Sequence, residues 1–134
     1  MPSEYLLDTN TVVYYFHDVP SVLSQMALHR PTFLPFVTVA ELLYGAKRSA
    51  RAPVNLRLYQ EFLAKFGILY PSRITLDLQS DLRLALQKLG RPIPDNDLWQ
   101  AALAIQHHAV LVTNDAHFAV VPGLRTENWT LSDG

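Results

Sequence analysis

The run AVLVT, Ala109 to Thr113, constrains the fold more than any other stretch of the chain. It is apolar without alternation up to its final threonine, so a strand made from it needs cover on both faces. Helices above and below a sheet provide that cover. The rest of the chain supplies them. YLLD (Tyr5 to Asp8), PTFLPF (Pro31 to Phe36) and GILYPS (Gly67 to Ser72) read as further short strands, and VPGLRTENW as a turn and a last one. Between them the sequence predicts helices from Asn10 to His17, Pro20 to His29, Thr38 to Ser49, Pro53 to Phe66, Thr75 to Gly90 and Asp95 to His108. Leu56, Tyr59, Leu63 and Phe66 lie at helical spacing, as do Leu78, Leu82, Leu86 and Leu89. Strands alternating with helices make an α/β fold with a mainly parallel sheet. Right-handed crossovers then gather the strand C-termini at one edge, where such sheets bind ligands.

The 134 residues suit one domain, 1–134, and 49% hydrophobic content fills its core. Eleven basic residues against 12 acidic ones give a net charge of −1, so nucleic-acid contact would need local basic patches. The absence of cysteine excludes disulfides and cysteine-based zinc or iron–sulfur sites. MPSEYLLDTN lacks a basic segment followed by a long apolar run, and no apolar stretch reaches ~18 residues. A soluble, cytoplasmic protein without a membrane span is expected.

Several acids fall near the sheet edge this pattern predicts. Asp8 ends the first strand, Asp115 follows AVLVT, Glu41 opens a helix after the second strand, and Asp95 and Asp97 begin the helix leading into AVLVT. Each has a structural reading too. Asp8 suits a turn, Glu41 completes a capping box with Thr38, and Asp115 suits a helix cap. Gathered together, the carboxylates would raise one another's pKa unless a cation joined them. All-oxygen ligands favour Mg²⁺ or Mn²⁺, and that chemistry suits phosphodiester hydrolysis. Asp95 and Asp97 stand ~200° apart on a helix, so they cannot share a site. Asp97, with Ala101 and Ala104 behind it, is the better ligand, and Asp95 the better cap. His107 and His108 are read as histidines of the helix C-terminal turn.

The motifs YLLDTN, TVAELLYGAKRS, GRPIPDNDLWQAALA and AVLVTNDAHFAVVPGLRTENW, in this order, resemble the PIN-domain ribonucleases, most closely the VapC toxins of bacterial type II toxin–antitoxin systems. The resemblance covers nearly the whole chain. It implies a PIN-like three-layer α/β/α sandwich around a twisted sheet and an endoribonuclease dependent on Mg²⁺, or Mn²⁺, leaving a 3′-hydroxyl and a 5′-phosphate. Its four metal-binding and catalytic acids fall on Asp8, Glu41, Asp97 and Asp115, the last being the most variable position. Thr9 or Asn10 and Thr113 match residues that orient these carboxylates, and Asp95 stands close enough to affect their field. The resemblance further implies a homodimer, and an antitoxin whose C-terminal segment blocks the acidic site. Gln100 departs from the pattern, which has an apolar residue there.

Lys47, Arg48 and Arg51 form the first candidate RNA-binding cluster, and Arg83, Lys88 and Arg91 a second, although both suit a solvated helix face. Tyr14, Tyr15, Phe16, Leu42, Leu43 and Tyr44 are candidates for an apolar partner surface or for core. Two other functions compete. One is a phosphatase of haloacid-dehalogenase type, for which Asn10 stands where a second Asp is needed. The other is a non-catalytic module that binds RNA or protein.

Overall fold

The computed structural model describes residues 4–131. The first three residues, where the stretch read for a leader begins, and the last three lie outside the described residues. The chain runs β1 (Tyr5–Leu7), α1 (Thr9–Phe16), α2 (Pro20–His29), β2 (Phe33–Pro35), α3 (Phe36–Lys47), α4 (Ala52–Leu63) and β3 (Gly67–Leu69). It continues through α5 (Arg73–Lys88), α6 (Asp95–Gln106), β4 (Val110–Val112), a short 3₁₀ turn (Ala116–Val120) and β5 (Arg125–Glu127).

The strands form one sheet in the order β3-β2-β1-β4-β5, parallel throughout. The chain builds outward from β1 to β3, then returns to lay β4 against β1 on its open side. Leu6 pairs with Leu111, and Leu7 with Val112. This reversal of direction opens a crevice at the C-terminal ends of β1 and β4.

Alternate strand residues bury into two cores. Leu7, Leu34 and Val112 face Val12, Val22, Leu42 and Phe62 from α1 to α4. Leu6 and Leu111 face Leu103 and Ala104 of α6 and Phe118 of the 3₁₀ turn. A third cluster, behind α6, joins Leu98, Ala101 and Ala102 to Leu82 and Leu86 of α5. All three residues of β4 are buried, as a strand covered on both faces must be. Each large aliphatic side chain so buried contributes about 1.5–3 kcal/mol. No helix among the described residues is long and apolar enough to cross a membrane.

Some local expectations are overturned. The helix expected from Thr38 starts at Phe36, with Pro35 as N-cap, so Thr38 is no capping residue. The capping box lies instead at Ser72 and Thr75, and α5 starts at Arg73, two residues before its expected start. Leu89, counted in the α5 stripe, is 62% exposed because the helix has reached its C-cap there. Gly90 follows at φ 69°, a left-handed turn that suits glycine and ends the helix. Of the six apolar surface candidates, Leu42 is core and Tyr14, Tyr15 and Phe16 pack half-buried against it. Leu43 is half-buried as well, and Tyr44 alone is largely exposed.

Candidate active site

The site forms where β1 and β4 end. Asp8 follows Leu7 directly and caps α1, its Oδ1 accepting the Thr9 N–H at 2.7 Å. Its Oδ2 accepts the Thr113 hydroxyl at 2.8 Å, across a sequence separation of 105 residues. The Thr113 hydroxyl also accepts the Asp115 N–H at 3.1 Å, which ties the two strand ends together. Both Asp8 oxygens are thus aimed, and each keeps a lone pair for a further ligand.

Glu41 reaches this edge because α3 starts early. Thr38, one turn earlier, donates its buried hydroxyl to the Leu7 carbonyl at 2.8 Å and pins α3 to the end of β1. Glu41 is therefore no capping partner, and its carboxylate faces Asp8 and Asp97. Burial holds it above the usual carboxylate range, and the charges of Asp8 and then Asp97 push it further up. The Thr9 hydroxyl offsets part of this without reaching full hydrogen-bond geometry; its oxygen is buried and has no partner.

Asp97 sits in the first turn of α6, where Ala101, Ala102 and Ala104 are fully buried and let the helix approach the sheet closely. Burial raises its pKa, His117 pulls it down, and Asp8 and Asp115 push it up. Asp95 is not the cap. Pro94 holds that position because its extended backbone turns the chain into the helix, and Asp95 becomes a helical residue facing the other way. Its exposed carboxylate lies 3.5 Å from Arg83 of α5, so it belongs to a surface pair rather than to the acid cluster.

Asp115 is a cap and lies close enough to Asp97 for its charge to be felt there. Its Oδ1 accepts the His117 N–H at 3.2 Å. The same oxygen lies 2.8 Å from Nδ1 of the His117 ring, whose Nε2 is hydrogen-bonded to Asp97 Oδ2. One ligand atom from each of Asp97, Asp115 and His117 lies within 4.8 Å of the others. His117 escaped the sequence reading. Its only local signal is the spacing, two residues beyond a capping Asp, which folds the ring back over the cap. His107 and His108 lie at the far end of α6 and are exposed.

Asn10 is exposed, with no hydrogen bond to a site carboxylate among the described residues. Arg48 caps the C-terminus of α3, and its guanidinium sits 5.3 Å from the centre of the Tyr44 ring. Arg48 and Tyr44 line a groove of about 360 Å³ that opens onto Thr9, Asn10 and Glu41. Lys47 and Arg51, near Arg48 in the chain, are exposed, while Arg83 of the second basic set is engaged by Asp95. Gln100 is 1% exposed, and its Oε1 has no hydrogen-bond partner.

Two features of this edge fit a divalent cation. Two of its acids are held above their normal pKa by burial and by neighbouring carboxylates, and a buried hydroxyl beside them lacks a partner.

The sequence profile of the PIN domain matches residues 5–124. Ribonuclease VapC1 of Haemophilus influenzae is 31% identical over 131 residues, spanning 94% of this chain and 98% of the relative. A DNA-bound VapBC from Salmonella typhimurium contains a chain 27% identical, with a TM-score of 0.87 over 95% of this chain and 98% of that one. A member of the VapBC family of toxin–antitoxin systems from Mycobacterium tuberculosis is 25% identical, with a TM-score of 0.72 over 95% and 98%.

Proposed function

The chain belongs to the PIN domain family, and on that premise we propose that it is a metal-dependent endoribonuclease, the toxin of a toxin–antitoxin pair. The observation that carries this reading is the meeting of Asp8, Glu41, Asp97 and Asp115 at the C-terminal ends of β1 and β4, where the half-buried Glu41 and Asp97 feel their neighbours' charge.

These four carboxylates form the edge that would hold Mg²⁺ or Mn²⁺. Such an ion polarises the scissile phosphate and lowers the pKa of a bound water. The chain's own residues do the rest. Thr9 and Thr113 fix the Asp8 carboxylate so that no reorientation is needed on loading. Glu41, which borders both the acid cluster and the groove, is the acid placed to accept the proton of the attacking water. Asp97 anchors the centre of the cluster from the rigid start of α6. The groove beside Glu41 gives the RNA strand a path. Tyr44 offers a face for a base, and Arg48, with Lys47 and Arg51, offers charge for phosphates.

An antitoxin has a place to seat. Tyr15, Leu23, Met26, Phe62, Lys65 and Phe66 line an apolar groove of about 330 Å³ between α1, α2 and α4. A segment carrying apolar anchors and an acid for Lys65 would fit it. The same reading makes the protein a cytoplasmic homodimer, one domain per chain.

Asp8→Asn keeps the size of the side chain and removes its charge. It is expected to lower Mg²⁺-dependent cleavage of RNA about 100-fold or more while circular dichroism stays unchanged. A folded D8N protein with undiminished cleavage would sink the proposal.

A further inference from the structure

We infer that His117 is a nitrogen ligand of the catalytic cation and that Asp115 orients its ring. This rests on the metal-dependent reading above. Asp115 Oδ1 is committed twice to one residue, accepting the His117 backbone N–H at 3.2 Å and lying 2.8 Å from its ring Nδ1. The ring is thereby held by a carboxylate at one nitrogen, and its other nitrogen, Nε2, is presented to Asp97 Oδ2 in the middle of the acid cluster. A carboxylate holding one imidazole nitrogen while the other meets a metal is a common arrangement of histidine ligands. The ligand atoms of Asp97, Asp115 and His117 lie within 4.8 Å of one another.

The consequence is a change of metal preference. An edge of carboxylates alone suits Mg²⁺, whereas an imidazole nitrogen favours a first-row transition ion. The structure therefore assigns this site to Mn²⁺ over Mg²⁺. His17, His29, His107 and His108 lie just past α1, on α2 or just past α6, and none joins Asp97 and Asp115.

The purified protein loaded with Mn²⁺ tests this by pulsed electron paramagnetic resonance. Wild type is expected to show nitrogen modulation from one imidazole on the bound Mn²⁺. His117→Gln abolishes that modulation and weakens Mn²⁺ binding about tenfold or more, with Mg²⁺ binding changed far less in calorimetric titration. Asp115→Asn retains the modulation and weakens Mn²⁺ binding by roughly tenfold. Bound Mn²⁺ without nitrogen modulation in wild type overturns the inference and leaves the nuclease reading standing, and the wild-type spectrum needs no variant to fold. Modulation that survives in H117Q overturns it likewise. Unchanged Mn²⁺ affinity in D115N overturns the role given to Asp115. Failure of the protein to bind Mn²⁺ or Mg²⁺ at all overturns both.

Discussion

Glu41 carries a penalty that the metal-free protein cannot avoid. Burial, Asp8 and Asp97 all raise its pKa in the folded state. Between the ordinary carboxylate pKa and that raised value, the folded chain holds a proton that the unfolded chain has lost. Stability therefore falls as pH rises through this window, and the penalty is complete above it. Asp97, also raised, adds to the same trend. In the presence of a chelator, the melting temperature is expected to fall as pH is raised from 4 toward 7, and Glu41→Gln is expected to raise it at pH 7 by on the order of 2 °C. Differential scanning calorimetry reads both, and an E41Q protein that melts lower than wild type at neutral pH would contradict the account. Gln100 is a second residue held at a cost. Its buried Oε1 is unpartnered, and the PIN pattern has an apolar side chain there. Gln100→Leu is expected to gain about 1 kcal/mol, read as a higher urea midpoint with an unchanged slope.

The elements place these residues, and α3 shows how finely. A capping box at Thr38 and Glu41 is the natural local reading, and it fails because Pro35 ends β2 and turns directly into the helix. The two-residue shift frees Glu41 from capping and turns Thr38 into a clamp on the Leu7 carbonyl. Thr38→Val keeps the shape and leaves that buried carbonyl without its donor. It is expected to cost about 1–3 kcal/mol and to lower cleavage as well, because α3 and Glu41 would lose their fixed distance from Asp8. Loss of stability with full activity would show that the clamp does not position Glu41. In α6, Asp97 lies among the other acids, whereas Asp95 is not the cap expected of it. Opposite sides of the helix are dictated by its period, but which residue caps it depends on Pro94.

At the scale of the molecule, the net charge of −1 hides a local arrangement. Arg48, with Lys47 and Arg51 beside it, stands at the end of the groove that opens onto Glu41. If these residues meet phosphates, replacing all three by Ala is expected to reduce the slope of log affinity against log salt by up to about three, measured with D8N protein to prevent cleavage. An unchanged slope would place the RNA elsewhere. The sequence by itself determined the alternation of strands and helices, the two-sided burial of AVLVT and the position of Asp8 and Asp115 just past strand ends. All of these follow from local periodicity, which reports how a segment is covered. Only the tertiary structure decided that β4 returns to pair with β1. That pairing brings Thr113 to Asp8 across 105 residues and sets the ring of His117 between Asp97 and Asp115. Strand order depends on contacts between distant segments, and no local pattern encodes which neighbour a buried strand will take.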